Sequence, residues 1–198
     1  MFEKEIKKYK ALNEIAEQNG IIIMGGTEDK EIPLCELKQA FELDSLLYNR
    51  SVENLSINSA IELYDSCIAE LNPNSVLIHI GMADLETFSE DPAIFDYKYR
   101  ELIKHINNTD KKCNIVIVSL KNPEGTLNIA EMNKHLKVIA ESEQCEFGDI
   151  AKKRVWNPKE IRDVVSFVYS IGFVHPLRNK RPLYDLIKIL FCSAPVLA

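Results

Sequence analysis

The sequence predicts a three-layer α/β/α sandwich built on a five-stranded parallel sheet. Three observations lead there. Short, largely apolar runs at 21–24, 75–80 and 114–120 suit strands covered on both faces, as central parallel strands are. Between them lie segments of ten residues or more whose apolar side chains recur every three or four positions, the mark of amphipathic helices. Regular alternation of the two implies parallel βαβ units with right-handed crossovers.

Element by element, Phe2, Ile6, Tyr9, Leu12 and Ile15 form one stripe, so a first helix is expected to stop near Asn19-Gly20. The strand at 21–24 follows, then a helix over 34–43 and a brief strand over 46–48. Ile57, Ile61, Tyr64 and Ile68 mark a third helix, with Ser56 as its expected N-cap. Asn72-Pro73-Asn74 is a turn into the strand at 75–80. A helix over 92–107, a strand over 114–120, a helix over 127–143 and a weak strand over 146–150 complete the sheet. Two further helices, over 158–169 and 182–192, open on Pro158 and Pro182, residues suited to a first helical turn.

The 198 residues suit one domain, 1–198, and the 46% hydrophobic and 27% charged content is an ordinary globular balance. A formal charge of -6 argues against a general nucleic-acid binder. The basic clusters Lys152-Lys153-Arg154 and Arg178-Asn179-Lys180-Arg181 read as solvated surface, the second placed beside His175 where it would meet an anionic ligand. No apolar run reaches the ~18 residues of a membrane span, and the charged start, Met1-Phe2-Glu3-Lys4-Glu5, is unlike a signal peptide. Five scattered cysteines (Cys35, Cys67, Cys113, Cys145 and Cys192) read as reduced thiols of a cytoplasmic protein.

The four histidines never fall at metal-ligand spacing, and no glycine-rich nucleotide motif follows the first strand, so neither a metal nor a cofactor is expected. His79 sits within an apolar strand and reads as a satisfied buried histidine; His105 and His135 read as surface residues on helices. Trp156 reads as a core or lid-packing residue.

Ligands of open parallel sheets bind beyond the carboxyl ends of the strands. The turns to inspect are therefore 25–29, 49–56 and 81–86, with whatever a C-terminal loop brings back. At those turns the chain resembles the SGNH (GDSL-type) hydrolases, small esterases and acylhydrolases with a flavodoxin-like sheet. Gly25-Gly26-Thr27 stands where that family has Gly-Asp-Ser, and Asn49-Arg50-Ser51-Val52-Glu53-Asn54 where it has Asn-Arg-Gly-x-Gly-Gly. Gly81-Met82-Ala83-Asp84 stands for Gly-x-Asn-Asp, and Gly172-Phe173-Val174-His175-Pro176 for Asp-x-x-His-Pro. The four blocks fall in family order along nearly the whole chain.

The resemblance implies a nucleophile at Thr27, whose extra methyl restricts its rotamers and crowds attack, and a base at His175. It implies an oxyanion site around Gly26, Asn54 and Ala83, where Ala83 lacks the family's asparagine donor. Loss of one such donor typically costs ~10²–10³ in turnover. Gly172 stands in the slot of the aspartate that orients the histidine. Glu53, if turned inward, would repel developing negative charge. Gly25, Asn49, Arg50, Gly81 and Asp84 are expected to hold the loops in shape, Asp84 by bonding amides of its own turn.

The leading expectation is thus an SGNH-like protein with a degenerate ester-hydrolase site, weakly active or non-catalytic, binding a small acyl or glycosyl ligand. Two alternatives stay open. One is a specialised esterase or acyltransferase using Thr27 and His175. The other is a flavodoxin-like nucleotide or anion binder using the Gly25-Gly26-Thr27 turn and Arg50.

Overall fold

The computed structural model describes residues 2–41, 43–122 and 124–151, together with 186, 187, 190 and 191. Its helices are α1 (Glu3–Asn13), α2 (Thr27–Lys30), α3 (Leu34–Ala40), α4 (Ile57–Cys67), α5 (Leu85–Glu90), α6 (Pro92–Thr109) and α7 (Leu127–Ser142). Its strands are β1 (Ile21–Gly25), β2 (Leu47–Asn49), β3 (Ser75–His79), β4 (Asn114–Val118) and β5 (Glu146–Gly148). They form one sheet in the order β2-β1-β3-β4-β5 with every pairing parallel. The expected five-stranded parallel sheet is present, with helices on both faces.

Alternation along the central strands sorts the core into two layers. Ile22, Met24, Val76, Ile78, Ile115 and Ile117 pack with α1, α4, α6 and α7. Their neighbours Ile23, Leu77, Val116 and Val118 face the other way, against Ile32, Leu37 and a helical C-terminal patch of Leu186, Ile187, Leu190 and Phe191. Burial of both faces is why these strands read as continuous apolar runs. The order of the strands reverses at β1, so the crevice between the carboxyl ends of β1 and β3 is the topological switch point. There the parallel register sets Gly25 directly beside His79.

Several boundaries differ from the sequence reading. The first helix ends at Asn13, and Leu12 and Ile15 are exposed at its end. Asn13 supplies the reason: its amide donates to the Cys67 carbonyl at 2.8 Å, and its side-chain oxygen accepts from Arg50, anchoring the chain there. Ser56 occupies the N-cap of α4 but gives it no side-chain bond. The Asp84 carboxylate does so instead, accepting from the Ile57 amide at 3.0 Å. The predicted helix over 158–169 and both basic clusters lie outside the described residues, whereas the described members of 182–192 are helical and buried. Among the described residues no helix is long and apolar enough to cross a membrane.

Candidate active-site cleft

The cleft forms where β1, β2 and β3 release their chains. At the end of β1, a Cβ on Gly25 would lie 2.0 Å from an Asp29 carboxylate oxygen. Glycine is needed because the carboxylate of Asp29 lies across that backbone. From α2, Asp29 reaches back to accept the Gly26 amide at 2.9 Å, and the same carboxylate meets His79 Nδ1 at 2.8 and 2.9 Å. Its own carbonyl accepts from the Asn49 side chain at 2.7 Å, so β1, β2 and β3 are joined through one residue. Asp29 and His79 are 1% and 5% exposed.

Thr27 is the first residue of α2. Its hydroxyl accepts the Asn54 amide at 3.0 Å and lies 3.5 Å from the Asn54 side-chain oxygen. Asn54 adopts φ 49°, a left-handed conformation that asparagine tolerates and that turns its amide toward Thr27. The start of α2 is served by Asp29, whose carboxylate accepts the amide of the N-cap residue Gly26.

The third turn is held by Gly81, whose φ is 145° and whose added Cβ would meet Met132 Sδ at 2.8 Å. Ala83 follows and contributes only a methyl group. Gly26, Thr27, Asn54, His79, Gly81 and Ala83 share one cleft of about 340 Å³. Of the residues that the resemblance marked on the first three turns, Gly26, Thr27, Asn54, Gly81 and Ala83 thus converge, while His175 and Gly172 lie outside the described residues.

Three side chains of these turns find their partners outside the cleft, Arg50 as one of the residues expected to hold the loops in shape. Glu53 does not turn inward: it pairs with Lys30 at 2.6 Å with its side chain 61% exposed, and that bond holds its carboxyl below the usual range. Arg50 does not serve the cleft. Buried, it donates to Asn13 and to the Asn49 carbonyl, with its guanidinium 5.1 Å and 5.4 Å from the ring centres of Tyr9 and Tyr48. A guanidinium so occupied cannot meet an anion at the Gly25-Gly26-Thr27 turn, which weakens the anion-binder alternative. Asp84 does not tie its own turn; it caps α4 across 27 residues, and burial pushes its carboxyl up to about 6.

The Asp29–His79 pair is the feature that sequence reading missed. His79 is buried, as expected, but only half satisfied: among the described residues Nε2 has no hydrogen-bond partner. The detectable signal was a histidine two positions before Gly81 on the strand neighbouring the Gly25 turn, since a buried imidazole there needs a hydrogen-bond partner. Burial pushes the Cys67 and Cys113 thiols up to about 12, which suppresses them as nucleophiles. His105 and His135, read as surface residues, are partly exposed and pair with Asp65 and Asp96.

No protein-family model matches the chain, and no curated protein matches it significantly. Solved structures do. The chain is similar to a GDSL-like lipase from Bacteroides thetaiotaomicron VPI-5482, with TM-score 0.63 and 13% identity over 95% of each chain. It is also similar to an acetylxylan esterase from Geobacillus stearothermophilus, with TM-score 0.55 and 16% identity over 79% of this chain and 96% of that one. The chain has the SGNH hydrolase fold. Within an SGNH fold, Thr27, Asn54 and Ala83 sit at the carboxyl edge of the sheet, on the turns that follow β1, β2 and β3.

Proposed function

We propose that this SGNH-fold chain binds a small acyl or glycosyl ligand in the Thr27 cleft and hydrolyses esters weakly or not at all. One observation carries the reading: at the third turn the cleft is lined by the methyl group of Ala83, where ester hydrolysis calls for a hydrogen-bond donor aimed at the oxyanion. The state of Thr27 agrees. Its hydroxyl accepts the Asn54 amide, which ties up the oxygen that would attack. Breaking that bond adds to the barrier, and the β-branch of threonine narrows the rotamers available. The ligand class follows from the acetylxylan esterase and the GDSL-like lipase among the similar structures, whose names point to acylated sugars and lipid esters.

The test pairs chemistry with binding. A fluorophosphonate probe and p-nitrophenyl acetate should give neither labelling nor turnover above a Thr27→Ala control. Thermal shift against xylobiose and against peracetylated xylobiose should show saturable stabilisation by at least one of them. Labelling abolished by Thr27→Ala would establish an active esterase instead, and no stabilisation by either sugar would remove the ligand reading.

A further inference from the structure

The turn that carries Asn54 is held from behind by a helix that does not line the cleft. Glu5, Tyr9 and Asn13 fall at four-residue spacing, so α1 presents them on one face. All three engage the second turn or a residue bonded to it. Glu5 lies 3.8 Å from Lys30, which pairs with Glu53 at 2.6 Å. The Tyr9 hydroxyl donates to the Ser51 carbonyl. Asn13 Oδ1 accepts from Arg50 Nε at 3.0 Å, and the Arg50 guanidinium lies over the Tyr9 ring. Tyr9 is 6% exposed, and burial raises its hydroxyl above the ordinary tyrosine value, so it remains a donor.

Toward the cleft the same turn is fixed at alternate residues. The Arg50 amide donates to the Ile23 carbonyl at 2.9 Å, the Val52 amide to the Gly25 carbonyl at 3.1 Å, and the Asn54 amide to the Thr27 hydroxyl at 3.0 Å. Between the first two anchors lies Ser51, fully buried, whose carbonyl is taken by α1. Asn54 holds φ 49°, a left-handed conformation that persists only where its surroundings impose it. A buried carbonyl deprived of its donor destabilises the conformation that buries it. Without the Tyr9 hydroxyl, Ser51 therefore loosens and the turn relaxes at Asn54.

We infer that α1 braces the Asn54 wall of the cleft, with Tyr9 as a positioning residue that acts through the Ser51 carbonyl. Tyr9 itself does not line the cleft; it sets where Asn54 stands against Thr27. The consequence for ligand affinity rests on the ligand reading above, whereas the consequence for Asn54 does not.

The experiment compares two variants of the whole chain. Tyr9→Phe keeps the ring beside Arg50 and removes only the hydroxyl. Tyr48→Phe makes the same change in the other ring on Arg50, whose hydroxyl accepts the Glu17 amide and not a bond from the second turn. Relaxation of ¹⁵N gives the backbone order parameter of Asn54, and calorimetric titration gives the affinity for xylobiose and for peracetylated xylobiose. Asn54 should be rigid in the parent, near about 0.85, and fall below about 0.6 in Tyr9→Phe. Affinity for whichever sugar binds the parent should weaken roughly fivefold in Tyr9→Phe, and Tyr48→Phe should change neither quantity. An unchanged Asn54 in folded Tyr9→Phe, an equal change in Tyr48→Phe, or a loosened Asn54 with undiminished affinity would each overturn the inference and leave the ligand reading intact. If neither sugar binds the parent, the ligand reading fails and the order parameter alone decides the brace. Should Tyr9→Phe not fold, native-state hydrogen exchange of the parent decides instead. The buried Val52 amide should then open together with the amides of α1, and Val52 protection that outlasts the opening of α1 would overturn the brace.

Discussion

Substitution of Gly25 by alanine probes the framework of the cleft more sharply than any change to its chemical residues. The added methyl would stand 2.0 Å from an oxygen of the Asp29 carboxylate and 2.6 Å from its carbon. No contact survives at that distance, so the carboxylate must leave. In leaving it surrenders its bonds to the Gly26 amide and to His79 Nδ1. Charge-assisted hydrogen bonds are worth about 1.5–3 kcal/mol each, and their buried partners are then left unsatisfied. The expected cost is therefore roughly 3–5 kcal/mol, a large share of a typical folding free energy, or on the order of 6–20 °C in Tm for a chain of this size. Urea unfolding measures it. In an Asp29→Ala background, where of the three nearest atoms the Asp29 Cβ at 2.9 Å remains, the same change should cost no more than about 1–2 kcal/mol, a non-additivity that identifies the carboxylate as the obstacle. A Gly25→Ala protein within about 1 kcal/mol of the parent would refute the reasoning.

Two further outcomes follow from the third turn. Burial raises the Asp84 carboxyl from 3.8 to about 6 in the folded chain, against the opposing Ile57 amide. The folded state therefore keeps a proton that the unfolded state has released, and stability falls as pH rises from about 4 to about 6, by roughly 2–3 kcal/mol for this group. Asp84→Asn should remove that component, seen as a flatter difference curve of urea stability between pH 4 and 7; identical curves would show that the carboxyl is not so raised. Gly81→Ala places a non-glycine residue at φ 145° with its Cβ 2.8 Å from Met132 Sδ, so thermal unfolding should fall by an amount equivalent to about 2–4 kcal/mol.

The sheet was legible because its central strands are buried on both faces, which leaves continuous runs such as Ile21-Ile22-Ile23-Met24 with no competing helical period. Turn positions were legible too: Gly25 and Gly81 have steric reasons to be glycine. What failed was anything decided by distant partners. The stripe through Leu12 and Ile15 promised a longer first helix, but contacts of Asn13 with Cys67 and Arg50 end it. Ser56 looked like the cap of α4, while Asp84 does the capping across 27 residues. Glu53 was ambiguous because only its meeting with Lys30 fixes its direction. The Asp29–His79 pair was invisible because its members, 50 residues apart, are brought together by the register of β1 and β3.

The central claim is that the cleft keeps the framework of an ester hydrolase while lacking groups that stabilise the acyl transition state. Turnover of p-nitrophenyl acetate by the parent chain and by the combined variant Thr27→Ser, Ala83→Asn and Gly172→Asp tests it most directly. A restored oxyanion donor alone is worth ~10²–10³ in turnover, so kcat/KM should rise at least a hundredfold above a parent near background. A parent that already turns the ester over at an ordinary enzymatic rate, lost on Thr27→Ala, would contradict the account.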